Sequence, residues 1–207
     1  MKISVIGCGY VGLVSGFCFA DSGHKVTCID NNDQKIELLK DNKVPIYEPG
    51  LNELLLKNIK NGNLAFELNI NENIKDSEIV LIAVGTPTGK NGDANLTFVY
   101  QCASEIAEFI SPNTQIIIKS TVPVGTCDEV EDIIKKNCSR FAPHSIGMQK
   151  IVTQIHQSIV EIVQIIVTPL PLLRVFVELL SDFSRGLPGL KPRVPKHQRY
   201  SKRSPLL

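Results

Sequence analysis

Arginine is absent from the first 138 residues of this 207-residue chain, and asparagine is absent from the last 69. The first part has fourteen asparagines and a charge balance of −6, from 12 lysines against 18 acidic residues. The last part has six arginines, seven of the twelve prolines and a balance of +7, from 10 basic against 3 acidic residues. This split predicts two compositional units, residues 1–138 and 139–207, which meet near Cys138.

The chain also lacks metal-binding, membrane-spanning and secretory patterns. Its six cysteines form no C-x-x-C pair and no metal-ligand spacing, so we expect no metal and interpret them as core thiols of a reducing, cytoplasmic protein. The longest uncharged run in its apolar region, residues 162–173, has twelve residues, against about 20 for a membrane span. Only Lys2 precedes the first apolar run, which ends at Gly7, so the sequence predicts no secretory signal.

Short apolar runs alternate with helical patterns through the first 138 residues. Strands are predicted at 3–6, 25–29, 64–68, 78–84 and 115–119, and helices at 10–22, 33–40, 51–60, 97–110 and 127–137. Alternation of this kind indicates an α/β fold, a Rossmann-type doubly wound parallel sheet with the five strands in the order 3-2-1-4-5. Beyond residue 138 the alternation fails, which predicts an irregular, partly disordered C-terminal segment with a disordered basic tail over 184–207.

A glycine run, GCGYVG at residues 7–12, lies between the first predicted strand and the first predicted helix. Gly7 permits a sharp turn, Gly9 leaves the backbone open to a pyrophosphate, and Gly12 lets the helix pack close to the strand. The amides near Tyr10 and Val11 would face the phosphates at the positive end of the helix dipole. The alternative is a tight turn that binds no phosphate, and the next strand distinguishes the two.

Asp30 ends that next strand, eighteen residues after Gly12. A carboxylate at this place accepts hydrogen bonds from the adenosine ribose hydroxyls and would repel a 2′-phosphate. The following residues, Asn31 and Asn32, offer no arginine to neutralise such a phosphate. The sequence therefore predicts a dinucleotide site for NAD rather than NADP.

Two threonines follow the fourth and fifth strands, at the sheet edge where Rossmann folds bind their ligands. Thr86 and Thr121 could reach the nicotinamide half of the cofactor or a bound water, or they could be ordinary turn-capping residues. Lys35, early in the second helix, could approach the adenosine, although from the sequence alone a solvated lysine explains it as well.

Four motifs together resemble the UDP-glucose 6-dehydrogenase family: IGCGYVGL at 6–13, PIYEPGL at 45–51, VGTPT at 84–88 and KSTVP at 119–123. The resemblance covers residues 1–138 and extends to GDP-mannose and UDP-N-acetylmannosamine dehydrogenases, which stay open as alternatives. It implies an NAD-binding domain in which five residues contact the cofactor. These are Val11, Asp30, Lys35, Thr86 and Thr121, and the last is also implied to order a water near the reacting carbon.

The resemblance further implies an oxidoreductase that converts UDP-glucose, two NAD and water into UDP-glucuronate and two NADH through a catalytic cysteine. The family's G-G-S-C-F-P-K-D stretch, which holds that cysteine, has no counterpart here, and SRFAPHS at 139–145 stands where N-P-E-F-L is expected. The central helix that forms most of the family's homodimer contact is also missing. We therefore expect no catalytic residue and no activity in this chain, and hypothesise a frameshifted or truncated gene.

Two other classes of protein remain as alternatives. One is an NAD-binding module without chemistry. The other is an adaptor whose basic tail binds RNA or anionic lipid through Lys191, Arg193, Lys196, Arg199, Lys202 and Arg203. Only Tyr200 in that tail could stack on a base, so the sequence does not favour nucleic acid as a partner.

Overall fold

The computed structural model describes residues 1–89, 92–111, 113–138 and 152–154. The prediction of a disordered basic tail at 184–207 lies outside the described residues, as does most of the predicted irregular segment. Among the helices that these ranges contain, none is long and apolar enough to cross a membrane.

Strands and helices alternate as the sequence predicts. The strands are β1 (Lys2–Ile6), β2 (Lys25–Ile29), β3 (Leu64–Glu67), β4 (Ile79–Ile82), β5 (Gln115–Ile118) and β6 (Val152–Gln154). The helices are α1 (Tyr10–Asp21), α2 (Asp33–Lys40), α3 (Leu51–Lys60), α4 (Thr97–Ala107) and α5 (Thr126–Asn137), with a short 3-10 helix at Glu72–Asp76. The observed ends differ from the predicted ones by up to three residues.

The strands form one parallel sheet in the order β3-β2-β1-β4-β5-β6. The predicted order 3-2-1-4-5 is therefore confirmed, with β1 between β2 and β4. Because the strands are parallel and in register, β1 and β2 end side by side, with Ile6 opposite Ile29. The glycine turn after β1 and the acid after β2 consequently lie at the same edge of the sheet.

β6 was not predicted, because the sequence analysis assigned residues 139–207 to an irregular segment. It pairs with β5 in parallel, with Val152 opposite Ile116 and Gln154 opposite Ile118. Three residues are too few to produce a periodic pattern, so this strand has no sequence signal of its own. Without β6, the edge of β5 opposite β4 would present unpaired backbone N–H and C=O groups, and a short β-branched stretch can pair with these groups.

An apolar core lies on each face of the sheet. One contains Leu13 and Phe17 of α1 with the α3 side chain Leu55, all fully buried. The other joins Ile106 of α4 and Val130 of α5 to the opposite face of β4 and β5. Helices therefore cover both faces of the sheet, the arrangement of a doubly wound Rossmann-type domain, and the fold prediction is confirmed.

Candidate functional site

The glycine turn between β1 and α1 is held by close backbone packing. Gly7 has a φ of +104°, a backbone conformation that is strained for any residue with a side chain. A Cβ on Gly7 would also lie 2.6 Å from the carbonyl oxygen of Ala83. A Cβ on Gly12 would lie 1.8 Å from the carbonyl oxygen of Gly7. The first and third glycines are thus required by the fold of the turn itself, before any ligand is considered.

Gly9 differs from its two neighbours in the motif. Apart from Gly9 itself and its two chain neighbours, no described heavy atom lies within 4 Å of the position that a Cβ on Gly9 would take. Gly9 is also the N-terminal cap of α1, and no side chain of the described residues caps this helix start. The first-turn amides therefore face open space at the positive end of the helix, which is the geometry of an anion-binding turn.

Asp30 is bonded directly to the glycine turn. Its Oδ2 accepts a hydrogen bond from the backbone N–H of Cys8 at 2.7 Å, and its Oδ1 accepts one from the backbone N–H of Asn32 at 2.9 Å. The side chain is only 9% exposed, so these bonds fix the carboxylate in one orientation. A carboxylate offers about four acceptor positions, which leaves capacity for ligand hydroxyls.

Lys35 lies beside the same carboxylate. Its Nζ is 3.3 Å from Asp30 Oδ2, and its backbone N–H donates to the Asn32 side chain that caps α2. The lysine side chain is 38% exposed and lines the same cavity as Asp30, so it is not simply a solvated helix residue. The pair places one positive and one negative group where a ribose is predicted to bind.

A cavity of about 390 Å³ opens at this edge of the sheet. It extends from the glycine turn past Asp30 to a wall formed by α4. Its lining comprises Ile6, Gly7, Gly9, Ile29, Asp30, Asn31, Lys35, Asn69, Ile70, Ala83, Val84, Gly85, Phe98, Gln101, Cys102 and Glu105. Four of the predicted cofactor-binding residues, Gly7, Gly9, Asp30 and Lys35, are therefore brought together on one cavity.

Sequence reasoning missed the α4 wall. Phe98, Gln101, Cys102 and Glu105 recur at intervals of three, one and three residues, which places them on one stripe of the helix. The spacing alone could not reveal a ligand surface, because the same stripe includes the core thiol of Cys102 and resembles an ordinary amphipathic helix.

The remaining predicted contacts lie next to the cavity. Tyr10, Val11 and Gly12 form the first turn of α1, whereas Thr86 and Thr121 follow β4 and β5 at the same sheet edge. Thr86 is half-buried and Thr121 is exposed, and neither belongs to the cavity lining in the part of the chain that the structure describes. Their contacts with a cofactor stay predictions.

The PIYEPGL loop reaches back to the glycine turn. The Tyr10 hydroxyl donates a hydrogen bond to the Glu48 carboxylate, and this contact raises the pKa of Tyr10 above its ordinary value. The loop thus braces the start of α1 through a side-chain contact that joins two motifs 38 residues apart.

Most of the cysteines are core residues, as expected, and four of them are poor nucleophiles. Five are buried and Cys127 is half-buried. Burial raises the pKa of both Cys8 and Cys18 to about 12, with a smaller effect of neighbouring carboxylates, and burial likewise raises the pKa of Cys28 and Cys102. Since the thiolate is the reactive form, these four thiols are inert at neutral pH.

We expect the native protein to resist thiol labelling accordingly. With a pKa of about 12, roughly one Cys8 or Cys18 thiol in ten thousand is ionised at pH 8. Iodoacetamide followed by peptide mass spectrometry should modify Cys127 first and leave these two untouched until denaturant is added. Labelling of Cys8 in the native chain at the rate of Cys127 would contradict the burial described above.

A central β1 followed by a glycine turn, with a buried acid after the neighbouring strand, defines a dinucleotide-binding domain of the Rossmann type. Residues 1–158 match the model of the UDP-glucose/GDP-mannose dehydrogenase family, NAD binding domain. The chain belongs to this family, and the domain's cofactor is NAD. The match extends past Cys138, so the proposed boundary between 1–138 and 139–207 stays a prediction.

Known relatives agree with this assignment. A UDP-glucose 6-dehydrogenase of Rhizobium meliloti (strain 1021) is 50% identical over 137 residues, which are 66% of this chain and 31% of the relative. Among solved structures, a UDP-glucose dehydrogenase from Pyrobaculum islandicum shares 35% identity with a TM-score of 0.63, covering 66% of this chain and 33% of that one. A GDP-mannose dehydrogenase from Pseudomonas aeruginosa shares 31% identity with a TM-score of 0.64, covering 74% and 35%.

The match to these relatives covers only part of their length. The chain spans about a third of the length of the curated proteins that it matches. Within the described ranges, no group of three or more His, Cys, Asp or Glu side chains could hold a metal ion.

Proposed function

We propose that residues 1–138 bind NAD with its pyrophosphate on the glycine turn and its adenosine ribose on Asp30. The observation that carries this proposal is the Cys8–Asp30 hydrogen bond, which locks the predicted ribose acceptor to the predicted phosphate turn across one cavity. A phosphate-free turn would not need the open space at Gly9. Val11 and Tyr10 contribute first-turn amides to the phosphates.

The same geometry supports NAD over NADP. The Asp30 carboxylate is nearly buried, and its hydrogen bond to Cys8 fixes its orientation. A 2′-phosphate would therefore be repelled by a negative charge that cannot move away from it. Lys35 is the cation that pairs with that carboxylate, so it is already engaged. We propose that Lys35 contacts the ribose side and that Thr86 and Thr121 lie toward the nicotinamide.

We further propose that this domain is the cofactor half of a UDP-glucose 6-dehydrogenase, whose substrate is a sugar nucleotide and whose product is the uronate. Support comes from the names of the relatives at 50% and 40% identity. GDP-mannose and UDP-N-acetylmannosamine are the second candidates, since solved structures of both dehydrogenases match this fold.

The oxidation of UDP-glucose needs a nucleophilic thiol, and we propose that these 207 residues do not supply one. Four of the six cysteines have a pKa raised by burial, and none of the six has the neighbours of the family's catalytic cysteine. Thiol, acid–base residues and sugar site act as one unit in such enzymes, so their loss costs many orders of magnitude in rate. Cytoplasmic location and the hypothesis of a frameshifted gene stay predictions.

The proposal is tested by separating binding from turnover. We expect isothermal titration of the 207-residue chain to detect NAD binding, and absorbance at 340 nm to detect no NADH formed from UDP-glucose above a no-protein control. Mass spectrometry should find no thioester on any cysteine. Steady NADH production would contradict the proposed lack of a catalytic thiol, whereas the absence of NAD binding would contradict the cofactor site.

The adaptor alternative has its own test. The basic residues that would carry it, from Lys191 to Arg203, lie outside the described residues. Salt-dependent retention of RNA by the chain, lost on truncation before residue 184, would support that class.

A further inference from the structure

The backbone ladder between β4 and β5 ends just before Ser120. One of its last bonds joins the N–H of Lys119 to the carbonyl of Ile82 at 2.8 Å. In a regular parallel ladder the next bond would join the N–H of Thr121 to the carbonyl of Val84. That bond is not made, and the N–H of Thr121 has no acceptor among the described residues. The ladder therefore stops one bond short of Thr121.

The side chain of Ser120 supplies the missing bond at this place. Its Oγ donates a hydrogen bond to the carbonyl of Val84 at 2.7 Å. Its backbone N–H lies 3.3 Å from the carbonyl of Ile82, which also accepts from Lys119. Because one carbonyl accepts from two successive N–H groups, the chain leaves the regular strand geometry at Ser120. A hydroxyl thus replaces a backbone donor at the point where the two strands end.

This hydrogen bond joins the bases of two loops. Val84 lies on the cavity and leads into the loop that carries Thr86, whereas Ser120 directly precedes Thr121. The two bonded residues are 36 positions apart in the chain, so the bond fixes one loop against the other rather than a turn within either. Ser120 is half-buried, which shields the bond from part of the competing water.

We propose that Ser120 is a positioning residue for the nicotinamide side of the cofactor. Its hydroxyl holds the VGTPT and KSTVP loops together, which keeps Thr86 and Thr121 in place, and it leaves the N–H of Thr121 free to donate to a ligand. Ser120 acts through the backbone, since it lies outside the cavity lining and its hydroxyl is engaged with Val84. This inference rests on the proposed placement of the two threonines toward the nicotinamide.

The test compares NAD with ADP-ribose, which keeps the adenosine, the pyrophosphate and the second ribose but lacks the nicotinamide ring. In isothermal titration of the 207-residue chain, Ser120→Ala should bind NAD about fivefold more weakly, the effect of one hydrogen bond. Its affinity for ADP-ribose should stay within about twofold. Ser120→Thr keeps the hydroxyl and should restore NAD binding. A merely structural loss would weaken both ligands alike, since both use the glycine turn and Asp30.

Ser111→Ala is the matched control. The Ser111 Oγ donates to the carbonyl of Lys75 at 2.6 Å, again across 36 positions, but Ser111 lies before β5 at the opposite edge of the sheet. We expect this variant to leave both affinities unchanged. Full NAD affinity in Ser120→Ala, or an equal loss of affinity for NAD and ADP-ribose, would overturn the inference alone. Failure of the unmodified chain to bind either ligand would overturn it together with the proposed function.

Amide exchange in the unmodified chain provides a test that needs no variant, and it decides the inference even if Ser120→Ala does not fold. In NMR spectra of the ligand-free chain, the N–H of Thr121 should exchange with solvent rapidly, because it has no acceptor among the described residues. The N–H of Lys119, which is bonded within the ladder, should exchange much more slowly. Equally slow exchange at Thr121 would show that the ladder continues to Val84 and would overturn the inference.

Discussion

Gly12→Ala is expected to destabilise the protein by about 3 kcal/mol, as overpacking against an unyielding backbone does. The added Cβ would lie 1.8 Å from the Gly7 carbonyl oxygen and 3.5 Å from the Ala83 side chain. Because the oxygen belongs to the turn itself, α1 would have to move away from β1 to make room. Guanidinium denaturation followed by circular dichroism measures the loss in free energy of unfolding.

Gly9→Ala is the matched comparison within the same motif. Apart from Gly9 itself and its two chain neighbours, no described heavy atom lies within 4 Å of its Cβ position, so we expect the free energy of unfolding to change by less than about 0.5 kcal/mol. NAD affinity should nevertheless fall by about a hundredfold, because the methyl group would hold the pyrophosphate away from the turn and weaken its charge-assisted hydrogen bonds.

The two variants together distinguish a structural glycine from a ligand glycine. Gly12→Ala should lose both stability and NAD binding, whereas Gly9→Ala should lose binding alone. Retention of full NAD affinity by Gly9→Ala would mean that the pyrophosphate does not approach this part of the turn. A comparable loss of stability in both variants would show that the open space at Gly9 is not available in solution.

The parts of the site that the sequence predicted are those determined over short range. The three glycines lie within six residues of one another, and Asp30 directly follows the end of β2. A strand, a turn and a helix in order are enough to align these groups, because parallel pairing brings the ends of β1 and β2 together. The strand order followed from the doubly wound Rossmann-type pattern.

The parts that the sequence did not predict depend on contacts between distant segments. The Cys8–Asp30 hydrogen bond uses a backbone N–H, which has no sequence signature. The α4 wall, with Glu105 at its edge, faces the cavity only because β4 lies beside β1. The contact between Tyr10 and Glu48 likewise joins two motifs that the sequence showed only as separate elements.

We propose that the Asp30 carboxylate sets the cofactor preference of the domain, and Asp30→Ala is expected to remove much of that preference. Its removal takes away the ribose acceptor, releases Lys35 and eliminates the charge that repels a 2′-phosphate. NAD affinity should fall more than about tenfold, since hydrogen bonds to a charged group contribute about 1.5–3 kcal/mol each. NADP affinity should fall less or rise, so the ratio of the two affinities approaches one.

Asp30→Ala also leaves the Cys8 N–H without its acceptor inside the turn, which costs about 1–3 kcal/mol of stability. Asp30→Asn separates this loss of stability from the effect on ribose binding, because the amide oxygen of asparagine can still accept a hydrogen bond from the Cys8 N–H. We expect Asp30→Asn to retain most of the free energy of unfolding while losing much of the discrimination against NADP. Denaturation and titration of the same samples provide both quantities.

Asp33→Ala is the control for general electrostatics, since Asp33 is an exposed acid in the first turn of α2 and lies outside the cavity lining. Removing it should lower stability by only about 0.5 kcal/mol, through the helix dipole. Its NAD-to-NADP ratio should change by less than about twofold, because a screened surface charge acts weakly on a ligand. If Asp33→Ala shifts the ratio as far as Asp30→Ala, net charge rather than a positioned carboxylate sets the preference. If Asp30→Ala leaves both affinities unchanged, Asp30 does not bind the ribose, and the buried acid serves only to hold the glycine turn.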